Sequence, residues 1–164
     1  TMGSHDRVSL LEVMGRGCGD IALYAGIAGG AEYVIIPEVP YDIDEICKDL
    51  KSSQKRGKTS NMIILAEGAG NKDEISAQIK EKTGISVKTT TLGHIQRGGS
   101  PSMFDRVLAA RMAVRAVDLL CEDSESRLIG IRNNEITADP IDVALNMPKR
   151  FDEKLYDIAH ILSL

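Results

Sequence analysis

Short runs of apolar, often β-branched residues recur along the chain, separated by longer stretches whose apolar residues follow a helical period. The predicted strands are Val8–Val13, Tyr33–Ile36, Asn61–Ala66, Val87–Leu92 and Leu128–Ile131. The predicted helices are Gly19–Ala28, Asp42–Lys55, Lys72–Lys82, Ser102–Cys121 and Asp152–Leu162, with a short helix after Pro140. This alternation predicts an α/β fold with a mainly parallel sheet and helices on both faces.

Residues that start and stop helices fall at the expected places. Asp42 and Asn71 are suited to cap the amino ends of two helices, and Gly57 and Gly84 to end them. Pro101 is predicted to occupy the first turn of the long fourth helix, where its missing N–H does no harm.

Bulk composition narrows the class of protein. Apolar residues make up 43% and charged residues 27% of the chain, as in a globular protein in water. A net charge of −4 argues against a nucleic-acid surface, and no apolar run reaches a membrane-spanning length. The three cysteines are widely separated, which favours a cytoplasmic location and neither a disulfide framework nor a zinc site.

Glycine-rich or charged clusters follow three of the predicted strands, at Met14–Gly19, Glu67–Gly70 and Gly93–Gly99. Open α/β sheets bind ligands outside the carboxyl ends of their strands, so we expect the three clusters to meet there. In the third cluster, His94 and Arg97 are donors suited to phosphate or sugar oxygens. The alternative is a tight turn between strand and helix with surface charges.

The spacing Gly15-x-Gly17-x-Gly19 leaves two interpretations open. Free N–H groups at the start of a helix can hold an anion. The spacing also resembles a dinucleotide-binding fingerprint, in which Glu38, about 20 residues further on, would be the ribose-binding acid. In that interpretation the protein would be a nicotinamide-dependent oxidoreductase. It is one residue short of that pattern, and Arg16 would crowd a pyrophosphate.

The segment Gly93-His-Ile-Gln-Arg-Gly-Gly-Ser-Pro101, followed by Asp105-Arg106, resembles the sugar-phosphate loop of bacterial 6-phosphofructokinases. Met14-Gly-Arg16 resembles a turn of the same family, and the similarity extends through nearly the whole chain. The resemblance implies a three-layer fold and transfer of a phosphoryl group from ATP, with Mg²⁺, to the 1-hydroxyl of fructose 6-phosphate in cytoplasmic glycolysis. Gly93-His94 is more similar to the ATP-dependent than to the pyrophosphate-dependent loop.

The resemblance also implies roles for particular residues. Arg16 would point to the position of phosphoryl transfer, and Glu67 would bind sugar hydroxyls. Arg7 and Lys88 would reach across a subunit interface to the 6-phosphate, although the family usually has arginine at the second position and lysine lacks its bidentate fork. From the residues alone, we expect Arg7 and Lys88 to be solvated charges at strand ends. The implied substrate-binding residues are Arg7, Met14, Gly15, Arg16, Glu67, Lys88, His94 and Arg97.

A second charged set has an implied regulatory role. By resemblance it would bind ADP or phosphoenolpyruvate between subunits, with Glu32 holding an effector-bound Mg²⁺ and Arg56 and Lys58 binding phosphates. The alternative is that Arg56 and Lys58 are cations at a helix carboxyl end, where the helix dipole favours them. The implied effector-binding residues are Gly30, Ala31, Glu32, Arg56, Lys58, Thr59 and Ser60.

The resemblance covers the acceptor half of the family only, so the chain is identified as the C-terminal portion of such an enzyme. Residues 1–97 would bind sugar phosphate and effector, residues 98–146 would pack with an N-terminal domain, and residues 147–164 would return to the first domain. We expect the fragment to be inactive alone, to bind no cofactor tightly and to be at least a dimer. The resemblance implies that the parent enzyme is a tetramer. The alternative class is a non-enzymatic sensor of sugar phosphates or nucleotides.

Overall fold

The computed structural model describes residues 7–58, 60–122, 125–148 and 151–162. The chain divides into two compact units. The first comprises Thr1–Arg97 together with Phe151–Leu164, and the second comprises Gly98–Arg150.

Four parallel strands form the sheet of the first unit, in the order β2-β3-β1-β4. The strands are β1 (Arg7–Val13), β2 (Tyr33–Ile35), β3 (Ser60–Ala66) and β4 (Ser86–Thr91). The helices are α1 (Asp20–Gly29), α2 (Ile43–Lys55), α3 (Lys72–Thr83) and, from the end of the chain, α6 (Glu153–Leu162), with a 3₁₀ turn at His94–Arg97. The predicted parallel α/β architecture is confirmed. The predicted bounds of the strands and helices in this unit agree with the observed ones to within one residue.

Strand β3 shows why the unit has three layers. Ile63 and Leu65 belong to the core beneath α2 and α3, while Ile64 and Ala66 belong to the core beneath α1 and α6. Successive side chains of a strand point to opposite faces, so an unbroken apolar run is the sequence of a strand buried on both sides.

The predicted caps are present. The Asp42 side chain accepts a hydrogen bond from the backbone N–H of Asp44 at 2.8 Å. The Asn71 side chain likewise accepts from the N–H of Asp73 at 2.9 Å. Gly84 ends α3 at φ 74°, in the left-handed region where a residue without Cβ is favoured.

The second unit contains α4 (Met103–Cys121), an antiparallel pair β5 (Arg127–Arg132) and β6 (Glu135–Pro140), and the short α5 (Ile141–Leu145). Strand β6 was not predicted, and β5 pairs with it in a hairpin. The turn places Asn133 at φ 49° and Asn134 at φ 64°, a conformation that hairpin turns favour and asparagine tolerates.

Helix α4 begins later than predicted. Ser102 is its N-cap, so Pro101 precedes the helix and does not lie in its first turn. The Ser102 hydroxyl accepts from the Asp105 N–H at 3.2 Å, and the Asp105 carboxylate accepts from the Ser102 N–H at 2.8 Å. This reciprocal capping box fixes the boundary. Within the described ranges, every helix is too short or too polar to span a lipid bilayer.

Candidate functional site

The loops that leave β1, β3 and β4 start side by side at the carboxyl edge of the sheet. Val13 is opposite Ala66 on one side of β1, and Glu12 is opposite Thr91 on the other. The Glu67 N–H donates to the Val13 carbonyl at 2.9 Å, which continues the pairing into the loop. The three clusters predicted to meet at this edge therefore do so.

The turn carrying Arg16 packs against the loop carrying Glu67. The Gly68 N–H donates to the Gly15 carbonyl at 3.1 Å, and a Cβ on Gly68 would lie 1.9 Å from the Arg16 carbonyl oxygen. Gly15 has a φ of 149°, and a Cβ there would be 2.6 Å from the Cys18 carbonyl oxygen. Only glycine permits two backbones to approach this closely, so the relative position of the two loops is fixed.

The 3₁₀ turn that contains His94 and Arg97 is joined to Met14 at the end of β1. The Gln96 side-chain oxygen accepts a hydrogen bond from the Met14 N–H at 3.2 Å, and its amide nitrogen donates to the Leu92 carbonyl. Arg97 Nε is 3.3 Å from the Met14 sulfur. His94 and Arg97 are both exposed, so both residues are accessible to solvent beside the turn that carries Arg16.

A cavity of about 500 Å³ lies next to Glu67 at the start of α3. Glu12 lines the cavity and accepts hydrogen bonds from Lys72 Nζ at 3.0 Å and from the Thr91 hydroxyl at 2.8 Å. Partial burial acts to raise the pKa of Glu12, but these hydrogen bonds and the Lys72 charge outweigh burial and lower it. The cavity is lined by Glu12, Glu67, Gly68, Gly70, Asn71, Lys72 and Asp73.

Sequence reasoning did not identify Glu12, Lys72 or Gln96. The available signal was weak: a carboxylate within an apolar strand, and an amide between two candidate ligands. Each acts through a partner far away in sequence, which no local pattern reveals.

The amino end of α1 is occupied by a carboxylate from the chain itself. Glu38 accepts from the Gly19 N–H with both oxygens, at 2.8 and 3.1 Å. A Cβ on Gly19 would lie 2.3 Å from the Ile36 side chain. Glu38 is thus used to hold this turn, which argues against the nicotinamide interpretation in which it binds a ribose.

Arg7 and Lys88 do not join this cluster within one chain. They lie on the two adjacent strands β1 and β4, with Arg7 opposite Ser86 and Lys88 opposite Ser9. Both are exposed, and Arg7 stands at the end of β1 remote from Met14. Ser9, which is opposite Lys88, lies two residues after Arg7 on β1. The side chains of Arg7 and Lys88 therefore lie on the same face of the sheet.

The structure brings Glu32 and Lys58 together. Lys58 Nζ is 2.8 Å from one Glu32 carboxylate oxygen, and the Met62 N–H donates to the other. The Glu32 N–H donates in turn to the Met62 carbonyl at 2.9 Å. Both oxygens of Glu32 are therefore engaged by groups of the chain itself.

The other residues of the implied effector set surround this pair in sequence. The Arg56 guanidinium donates to the hydroxyls of Ser52 and Ser53, each at 3.3 Å. Gly30 ends α1 in the left-handed conformation, Ala31 is buried and Ser60 begins β3. Thr59 lies outside the described residues. Among the described residues, no group of three or more His, Cys, Asp and Glu is placed to hold a metal ion.

Comparison with known proteins gives the same assignment from sequence and from structure. The phosphofructokinase family model matches residues 1–120. The ATP-dependent 6-phosphofructokinases of Clostridium novyi (strain NT) and Clostridium acetobutylicum are each 57% identical over 163 residues, which is 99% of this chain and 51% of theirs. The chain spans about half the length of the curated relatives it matches.

Solved structures show the same fold. Phosphofructokinase from Saccharomyces cerevisiae has a TM-score of 0.79 at 33% identity, over 97% of this chain and 22% of that one. Pichia pastoris phosphofructokinase in the T-state has a TM-score of 0.77 at 34% identity, over 97% and 19%. The pyrophosphate-dependent enzyme of Marinobacter aquaeolei has a TM-score of 0.76 at 20% identity, over 93% and 44%, and supports the fold alone. The chain belongs to the phosphofructokinase family.

Proposed function

We propose that this chain forms the sugar-phosphate-binding part of an ATP-dependent 6-phosphofructokinase of cytoplasmic glycolysis. The observation that carries the proposal is the convergence at one sheet edge of Arg16, Glu67, His94 and Arg97, on loops joined to each other by hydrogen bonds and glycine contacts. Three cationic or hydrogen-bonding donors beside a carboxylate suit a ligand with both phosphate and hydroxyl groups.

The reaction transfers the terminal phosphoryl group of ATP to the 1-hydroxyl of the sugar. The hydroxyl oxygen forms a bond to phosphorus as the bond to the bridging oxygen breaks, ADP leaves, and a base takes the hydroxyl proton. Catalysis of this kind depends on positioning and charge stabilisation. Arg16 would stabilise charge on the transferred group, Glu67 would accept from sugar hydroxyls, and Met14, Gly15, His94 and Arg97 would hold the sugar phosphate.

The relatives are about twice as long as this chain. We propose that the part they have in addition supplies the bound ATP, its Mg²⁺ and the base, so that the chain alone is inactive. Arg7 and Lys88 would act on the 6-phosphate bound by a neighbouring subunit, since within one chain they lie apart from the other candidate ligands. Among the possible donors, ATP is favoured over pyrophosphate, because the two Clostridium relatives at 57% identity are ATP-dependent 6-phosphofructokinases.

Kinetics of the full-length enzyme that contains this chain test the proposal. His94→Ala, Arg97→Ala and Glu67→Ala should each weaken transition-state binding of fructose 6-phosphate by about 1.5–3 kcal/mol, the usual cost of losing a hydrogen bond to a charged group. The KM for ATP should change little. Lys80→Ala, at an exposed position of α3, is the control. A change in the KM for ATP without one for the sugar would contradict the proposal.

For the second charged set we propose a regulatory site for ADP or phosphoenolpyruvate, formed by Glu32, Arg56 and Lys58 with backbone and hydroxyl groups nearby. The Glu32–Lys58 pair supports it, because it places a cation suited to phosphate next to a carboxylate suited to a metal ion. The phosphate would take Lys58, and the released carboxylate oxygen of Glu32 would be free for the Mg²⁺ carried by a nucleotide. Gly30, Ala31, Thr59 and Ser60 would complete the site.

A further inference from the structure

The hydrogen-bond ladder between β1 and β4 stops at the edge where the candidate ligands lie. The two strands pair from Arg7 and Ser86 to Glu12 and Thr91, and the Leu92 N–H still donates to the Glu12 carbonyl at 2.8 Å. Bonds in a parallel ladder alternate regularly from strand to strand. The next bond would therefore join the Met14 N–H to the Leu92 carbonyl.

The side-chain amide of Gln96 stands between those two groups. Its oxygen accepts from the Met14 N–H at 3.2 Å, and its nitrogen donates to the Leu92 carbonyl. A carboxamide has the donor and acceptor of a peptide group, so Gln96 acts as one peptide unit inserted into the ladder. The two bonds of the amide take the place of one direct bond between the strands, and the Met14 N–H and the Leu92 carbonyl both remain satisfied.

Gln96 is fixed at its other end as well. Its own N–H donates to the Gly93 carbonyl at 3.1 Å within the 3₁₀ turn, and the residue is half-buried. One side chain thus connects the turn that carries His94 and Arg97 to the backbone of Met14, two residues before Arg16. No other contact described between these two turns uses both a donor and an acceptor of one side chain.

We propose that Gln96 is a positioning residue of the sugar-phosphate site, which sets the separation between the Met14–Arg16 turn and the His94–Arg97 turn by replacing one ladder bond with its amide. This inference rests on the proposed function. Gln96 need not touch the ligand, since its two polar atoms are engaged by the chain. The amide is neutral at all relevant pH values, so the separation it sets does not change with pH.

Gln96→Glu and Gln96→Met in the full-length enzyme test this role through the pH dependence of fructose 6-phosphate binding. A glutamate carboxylate can accept from Met14 but repels the Leu92 carbonyl, whereas a protonated carboxyl can donate to it. We expect both variants to bind the sugar phosphate about tenfold more weakly than wild type near neutral pH. Binding by Gln96→Glu, relative to wild type at each pH, should begin to recover as the pH falls toward the ordinary glutamate pKa of about 4.3, and binding by Gln96→Met should not. Gln78→Glu and Gln78→Met, on the exposed side of α3, are the matched controls.

Hydrogen exchange at the Met14 amide separates the possible failures without any ligand. Gln96→Met should speed exchange of this amide, and Gln78→Met should leave it unchanged. Wild-type exchange in Gln96→Met would overturn the bridge, and wild-type sugar-phosphate binding by Gln96→Met would overturn the positioning role. Failure of the wild-type enzyme itself to bind fructose 6-phosphate would overturn the proposed function, while the exchange result would still report on the bridge.

Discussion

Glu32 is a carboxylate with a partner within the chain for each of its oxygens. Its side chain is 12% exposed, whereas that of Lys58 is 43% exposed. The ammonium group can therefore move into solvent or toward a phosphate far more readily than the carboxylate can move. This asymmetry means that a phosphate ligand would change the partner of Lys58 and leave Glu32 in place.

Substitution of Lys58 or of Arg56 tests the regulatory proposal. Lys58→Met or Arg56→Ala should weaken the response to ADP or phosphoenolpyruvate about 10-fold or more, because a charge-assisted hydrogen bond to phosphate is lost. Turnover without effector should stay near wild type. The measurement is the effector concentration that gives half of the maximal change in rate. Lys55→Met, at the exposed end of α2, is the control. An unchanged response in both variants would leave Arg56 and Lys58 as cations that favour a helix carboxyl end.

At the residue scale, the sequence points to candidate ligands but not to the residues that hold their loops together. His94, Arg97 and Glu67 belong to short clusters rich in glycine and charge, and such clusters are visible in the sequence. Gln96 was missed because its partner Met14 lies 82 residues away. Glu12 was missed for the same reason, because its hydrogen-bond partner Lys72 lies 60 residues further along the chain.

At the scale of elements, the cluster around Glu12 ties two strands and a helix together near the cavity. Glu12 lies on β1, Thr91 on β4 and Lys72 at the start of α3. The carboxylate is largely buried, with 16% of its side chain exposed. A charge that is both partly buried and fully paired costs stability when its partner is removed.

The lowered pKa of Glu12 predicts a pH-dependent effect on stability. Because the folded protein favours the ionised carboxylate, its contribution is present above the ordinary pKa of 4.5 and disappears as the pH falls through the lowered value. Glu12→Gln should therefore reduce the free energy of unfolding by about 1.5–3 kcal/mol at pH 7. The difference from wild type should shrink as the pH falls below 4.5 in urea unfolding. Glu81→Gln, exposed on α3, is the control, and a difference that grew at low pH would contradict the assignment.

Helices and most strands could be predicted to within a residue or so because their ends carry local signals. Asp42, Asn71 and Gly84 act through neighbours within a few residues, so sequence order alone reveals them. Strand β6 has no such signal, because it is half polar and forms only by pairing with β5. The asparagine pair of the turn, at positive φ, was the missed indication.

At the scale of the whole molecule, the exposed apolar residues of α4 stand out. They recur at helical spacing on one stripe, while Leu119 on the other side is buried. Contiguous apolar surface of this kind marks an interaction site. The exposed residues of this stripe are Met103 at 75%, Val107 at 50%, Val114 at 63%, Val117 at 58% and Leu120 at 80%, and Phe104 beside it is 63% exposed.

We expect the isolated chain to pair with a second copy through this stripe, since burying apolar surface is worth about 25 cal/mol per Å². Light scattering at micromolar concentration should give the mass of at least a dimer. Val114→Glu with Val117→Glu should lower that mass toward a monomer while helical content is kept, and Gln78→Glu should not. A wild-type chain that scatters as a clean monomer would refute the expectation.

The strand order also has a consequence for how this chain acquires its fold. Strand β1 comes first in sequence but sits inside the sheet, pairing Arg7 with Ser60 on one side and with Ser86 on the other. Both pairings close long loops, and topologies dominated by distant contacts fold slowly. During synthesis at about 5–20 residues per second, β1 must wait several seconds for its first neighbour. The edge that carries the candidate ligands needs β4 and the turn after it, so it is the last part of this sheet to be completed.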